Sequence, residues 1–182
     1  MSGLLFTIVG PSGAGKDTLM RAAQAARPGL ALVRRVISRP TKAGGEEFDG
    51  VSEAAFQSRL SRGDFALHWQ AHGLHYGIPA DITDRLAKGE TLVFNGSRAI
   101  LSEAAQTFPG LRILHITARP EVLAQRLSER GREAPEDIAA RLSRAALPLP
   151  AGLNVIEIDN SGALEPALAA LLHALDGEDV PV

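Results

Sequence analysis

The stretch LLFTIVGPSGAGKDT, residues 4–18, limits more than any other what this chain can fold into. Leu4 to Val9 form a continuous apolar run with no polar alternation, the mark of a strand buried on both faces as in a parallel sheet. Gly10, Pro11, Ser12, Gly13, Ala14 and Gly15 follow at once, and Lys16 closes the loop. A glycine loop between a strand and a helix lets backbone N–H groups converge on phosphate oxygens, while the lysine supplies a point charge. In the usual pattern, G-x-x-x-x-G-K-[ST], a final hydroxyl ligates the magnesium of a nucleoside triphosphate. Here Asp17 holds that place and Thr18 comes one residue late. A carboxylate suits the same hard cation, and Thr18 can still hydrogen-bond a phosphate at the helix start. Asp17 is therefore the candidate metal ligand, and residues 10–18 the candidate nucleotide loop. The competing reading, a loop kept only in a binding module, is disfavoured by the presence of Lys16.

The rest of the chain alternates in type. DTLMRAAQAA reads as a helix ending at RPG, ALVRRVIS (31–38) as a strand, and RPTKAGGEEFDGV (39–51) as a polar loop. Ser52 is placed to cap a short helix, EAAFQSRL, that stops before Gly63. DFALHWQAHGLHYGIP (64–79) shows two strand-like runs around AHG, a hairpin pattern. A helix (81–88), the strand TLVFN (91–95), a helix (97–108), the strand LRILHIT (111–117) and a helix from Pro120 follow. GREAP interrupts, PEDIAARLSRAA resumes as helix, and NVIEID (154–159) and ALEPALAALLHAL close as strand and helix. Strands alternating with helices indicate an α/β chain with a parallel sheet covered on both faces. The glycine loop takes the first strand-to-helix turn, where such folds hold phosphates.

Composition sets the outer bounds. The 182 residues, 45% of them hydrophobic, suit a single domain. A formal charge of -2 gives no reason to expect nucleic acid as a partner. The absence of cysteine excludes disulfides and thiolate metal sites. LLFTIVG is too short to cross a membrane and no basic leader precedes it, so the expectation is a soluble, cytoplasmic protein, monomeric or a homodimer. Of 19 basic side chains only Lys16, Lys42 and Lys88 are lysines. Arginine grips phosphate bidentately, so this bias fits either a phosphate handler or a compositional preference for Arg.

GPSGAGK, SRPTKAGGE, GDFALHW…HYGIP and RLSERGREAPEDIAARLSRA occur in an order that resembles guanylate kinase and its relatives, across residues 4 to 161. The forms GKD, WQAHGLHYG and NGSR resemble one branch in particular, the ribose 1,5-bisphosphate phosphokinases of phosphonate breakdown. The resemblance implies a P-loop kinase fold, ATP and Mg²⁺ as cofactors, and phosphoryl transfer to the 1-phosphate of ribose 1,5-bisphosphate, giving 5-phosphoribosyl 1-diphosphate (PRPP). It divides the chain into a core (1–38, 81–128 and 136–182), an acceptor-binding region (39–80) and a mobile lid (129–135). In guanylate kinases a glutamate and a hydroxyl read the guanine. The matching places here hold Leu67 and Ile78, which offer it no hydrogen bonds. Such a site discriminates against guanine, because buried polar edges without partners are costly. The rivals are a nucleoside monophosphate kinase with altered base recognition and an inactive guanylate-kinase-like binding module.

By the same match, Ser38, Arg39, Lys42, Glu46 and Tyr76 hold the acceptor. Guanylate kinases end the third major strand with aspartate, where this chain has Asn95, so Asp17 is expected to take over the lost metal-anchoring charge. Arg98 in NGSR either binds a sugar phosphate or pairs with a neighbouring acid. Arg130 and Arg141 are the expected lid arginines, neutralising charge on the transferring group. Arg126 and Arg132 are either part of that set or solvated helix-end charges, and Asn160 is either an adenine contact or a turn residue before Gly162. His72 is read as a substrate contact, His75 as part of the hairpin, and Trp69 as packing. An acceptor phosphate is already anionic and needs positioning more than a base.

Overall fold

Strand β1 (Leu4–Val9) sends successive side chains to opposite faces, and both faces are largely apolar and buried. In a computed structural model describing residues 3–40, 47–131 and 134–177, those two faces feed two separate cores. Phe6 and Ile8 enter one, with Val93, Leu114 and Ile116 from neighbouring strands. Leu5 and Val9 enter the other, with Leu92, Phe94 and Ile113. The continuous apolar run is thus explained by alternation into two cores, each hidden from water.

The main sheet has five strands in the order β2-β7-β1-β8-β9, all pairs parallel. Its other members are β2 (Leu30–Leu32), β7 (Thr91–Asn95), β8 (Arg112–Thr117) and β9 (Val155–Asp159). Helices α1 (Lys16–Ala26) and α7 (Leu164–Leu175) cover the first face, burying Leu19, Ala23, Leu171 and Leu175. A 3₁₀ turn (Arg98–Ile100) and the helix Leu101–Thr107 cover the second, together with the hairpin residues Leu67, Trp69 and Ile78. The expected architecture, a parallel sheet with helices on both faces, is the one observed.

A second sheet, β4-β3-β6-β5, stands beside the first. It comprises β3 (Arg35–Ile37), β4 (Phe48–Gly50), β5 (Phe65–Ala71) and β6 (Leu74–Pro79). The hairpin expected at 64–79 is there, with Trp69 opposite Tyr76 and Leu67 opposite Ile78. Its turn residue His72 adopts a positive φ of 53°. The single strand expected at 31–38 is instead two. Val33 N–H donates to the Val93 carbonyl at the end of the main sheet, and the chain then crosses to pair with β4 and β6. Part of the expected loop 39–51 is likewise strand, because Phe48 pairs in register with Arg35. The helix expected at 97–108 begins as the 3₁₀ turn. Ser52 caps Glu53–Ser61 as expected, its Oγ accepting from Ala55 N–H at 3.1 Å.

Candidate active site

The glycine loop leaves β1 through a left-handed path that only glycine follows without strain, with φ of 89° at Gly13 and 88° at Gly15. Two side chains from distant segments hold its carbonyls. Asn160, buried at the end of β9, donates from Nδ2 to the Ala14 carbonyl at 2.7 Å. Arg126, on the helix Pro120–Glu129 (α5), donates to the Gly13 carbonyl at 3.2 Å and to the Asn160 carbonyl at 2.8 Å. Anchored carbonyls turn the opposite ends of those peptides, the N–H groups, towards an anion. Both residues are thus attached to the backbone at the loop. Lys16 Nζ donates to the Gly10 and Pro11 carbonyls at 2.7 and 3.1 Å, which keeps the ammonium across the loop's mouth.

Two adjoining cavities open from the loop. The smaller, about 300 Å³, is lined by Ser12, Gly13, Gly15, Lys16, Asp17, Thr18, Arg35, Arg39, Asn95 and Arg130. The larger, about 680 Å³, extends from Lys16 past Asn95, Arg98 and His115 to the hairpin residues Trp69, His72 and Tyr76, and to Arg141 and Arg144 of the helix Pro135–Ala145. Lys16, Arg35, Arg39, Arg98, Arg130, Arg141 and Arg144 face these spaces against one carboxylate, Asp17, among the described lining residues. In a chain of net charge -2 this is strong segregation, and it focuses field on small anions rather than on an extended surface.

The expected residues gather with definite partners. Arg141 Nη1 donates to Ser12 Oγ at 2.8 Å, tying its helix to the loop. Arg98 lines the larger cavity and donates to the Arg144 carbonyl at 3.3 Å. Asn95, 8% exposed, lines both cavities, and Arg39 lies 4.4 Å from the centre of the Phe48 ring. Ser38 Oγ accepts from His75 N–H at 2.8 Å, so this hydroxyl serves the pairing of β3 with β6. His75 itself packs near Phe56 and reaches Glu53 at 3.6 Å. Trp69 stacks on Tyr76, ring centroids 5.4 Å apart. Lys42, Glu46 and Arg132 lie outside the described residues.

Three cationic or titratable lining residues, Arg35, His115 and Arg144, were not singled out from the sequence. Arg35 stands in a strand-like run beside Arg34, and only the register shows which of the two turns inward. His115 stands inside LRILHIT, where it looks like part of a buried strand. Its Nδ1 is 3.7 Å from Glu157 Oε2. Burial lowers its pKa below the usual 6.5, Glu157 opposes that shift, and Arg98 and Lys16 add to it.

The family described as an AAA domain matches residues 7–145. A ribose 1,5-bisphosphate phosphokinase PhnN from Ruegeria sp. (strain TM1040) is 51% identical, the alignment covering 97% of this chain and 93% of that protein. Another of the same name, from Rhizobium etli (strain CIAT 652), is 47% identical over 96% and 90% of the two chains. Among solved structures, guanylate kinase from Anaplasma phagocytophilum superposes with a TM-score of 0.72 at 16% identity. That alignment covers 100% of this chain and 88% of the other, a likeness of fold.

Proposed function

The chain belongs to the ribose 1,5-bisphosphate phosphokinases, and from that premise we propose that it moves the γ-phosphoryl group of ATP onto the 1-phosphate of ribose 1,5-bisphosphate. The products are PRPP and ADP. An oxygen of the acceptor's 1-phosphate forms the new bond to the γ-phosphorus. The bond from that phosphorus to the β,γ-bridging oxygen breaks, and its electron pair leaves with ADP. The attacking oxygen is already anionic, so the step requires alignment and charge neutralisation rather than a general base.

The observation that carries this reading is the pair of joined cavities lined by seven cations and one carboxylate. ATP's phosphates fit the glycine loop and Lys16, and Arg130 and Arg141 neutralise charge on the transferring group from the segment around 129–135 and the helix after it. Tyr76, His72, Arg98 and Asn95 surround the acceptor end, Arg39 lines the smaller cavity beside Arg130, and Lys42 and Glu46 are assigned to the acceptor by family membership. Leu67 and Ile78, at 1% and 0% exposure, are core residues paired across the hairpin and present no polar atom to a purine.

Magnesium suits the donor set. Asp17, Thr18 and Asn95 bring oxygen atoms to the smaller cavity, and the described residues hold no cluster of three or more His, Cys, Asp or Glu. One protein carboxylate, with phosphate and water oxygens completing the shell, is a normal arrangement for that cation. Bound there, it neutralises phosphate charge, and Asp17 is the residue that anchors it. No helix among the described residues is long and apolar enough to cross a membrane, and the proposed substrates are small molecules.

The test is direct. The protein is incubated with ATP and Mg²⁺ together with either ribose 1,5-bisphosphate or GMP, and the products are identified by mass. PRPP and ADP are expected. GDP would replace this reading by a nucleotide kinase, and no product from either acceptor would leave a binding module.

A further inference from the structure

We propose that Arg35 is the clamp for the attacking phosphate of the acceptor, a role that rests on the phosphoryl transfer proposed above. Four residues line both cavities: Ser12, Lys16, Arg35 and Asn95. A group passing from nucleotide to acceptor crosses the wall these residues share. Two phosphates must approach each other there, and their repulsion is the main obstacle to be removed. Lys16 approaches from the loop side. Arg35 reaches the same wall from β3, in the second sheet.

The mounting of Arg35 suits an anion clamp. Its guanidinium carbon lies 5.0 Å from the Tyr76 ring centroid and 5.8 Å from that of Trp69. The two rings are nearly parallel, 8° apart, and come from directly opposed positions of the hairpin. Aromatic faces attract the cation without consuming its N–H donors. They also restrict its rotamers, so less freedom is lost when a phosphate engages the planar fork. Arg35 is 8% exposed, and an apolar side chain would pack at this place without the desolvation cost of a charge. Its neighbour Arg34 turns outward to an ordinary half-exposed pair with Asp49 at 2.9 Å. The two adjacent arginines therefore stand in different places, one joining strands and the other lining both cavities.

The experiment compares the parent protein with Arg35→Met and Arg35→Lys. Steady-state rates are measured with ATP, Mg²⁺ and ribose 1,5-bisphosphate, ATP affinity by calorimetry, and folding by thermal unfolding. Arg35→Met should lower kcat/KM for the acceptor by about 10²–10³-fold, with ATP affinity kept within about threefold of the parent. Arg35→Lys, which keeps charge but not the fork, should recover part of the loss and stay about tenfold below the parent. An acceptor kcat/KM within about threefold of the parent in folded Arg35→Met would overturn the inference, as would an equal loss of ATP affinity. If Arg35→Met does not fold, Arg35→Lys decides by the same two readings. The series is repeated with GMP. Parent turnover of GMP alone would refute the substrate reading, and Arg35 would then stand or fall on whether its variants slow that reaction.

Discussion

Replacing Gly15 by alanine perturbs the loop at a crowded point. Gly15 has φ of 88°, a conformation that costs an alanine about 1–2 kcal/mol. A Cβ built there would stand 2.5 Å from Asn160 Nδ2, well inside van der Waals contact. That amide has little room to move, because Asn160 is 5% exposed and its Nδ2 is committed to the Ala14 carbonyl. Displacing it costs about 1–3 kcal/mol more, the usual penalty for a buried polar group losing its partner. Gly15→Ala should therefore destabilise by about 2–5 kcal/mol, and Asn160→Ala alone by about 1–3 kcal/mol. The double variant removes the atom with which the new methyl collides and loses the amide bond only once. Its cost should fall about 1–3 kcal/mol short of the sum of the singles. Urea unfolding of the four proteins gives these values, with ATP affinity measured alongside. Additivity within about 0.5 kcal/mol would refute the reasoning, since it would mean the methyl and the amide do not compete for the same space.

Two further outcomes are expected. His115 has a folded-state pKa depressed below 6.5, so the unfolded chain takes up its proton first as pH falls. The stability it confers is fully present above 6.5 and is lost as pH falls towards the folded value, with a slope of at most ~1.4 kcal/mol per pH unit for one proton. His115→Gln should flatten the fall of the urea midpoint as pH drops below 6.5, and an unchanged slope would count against the burial argument. Asp17→Ala should raise the Mg²⁺ concentration for half-maximal rate by about tenfold or more, with Asp17→Ser recovering part of it. Equal Mg²⁺ dependence in the parent and both variants would remove Asp17 from the metal site.

Much of the fold was legible because its signals are local. Glycine spacing, a continuous apolar run and a serine before a helix each state their own geometry within a few residues. The split of 31–38 was hidden because β2 and β3 belong to different sheets while only Val33 and Arg34 separate them. That crossing also concealed Arg35: alternation assigns a face only once the pairing partner is known, and RRVIS pairs with residues more than 35 positions away as well as with β4. His115 went unremarked for a related reason, since a polar residue within a buried strand gives no sign of the cavity beside its end. Arg126 and Asn160 were noticed, but their observed attachments run to backbone carbonyls, which carry no mark in a sequence.

Those attachments have a bearing on how the protein is made. Gly13 and Ala14 are synthesised before the side chains that fix their carbonyls, which arrive with α5 and with the last strand of the sheet. A ribosome-tethered chain ending before Asn160 carries the complete glycine motif but lacks the brace that sets its curvature. A chain cut short of Asn160 should therefore bind ATP more weakly than one that includes it.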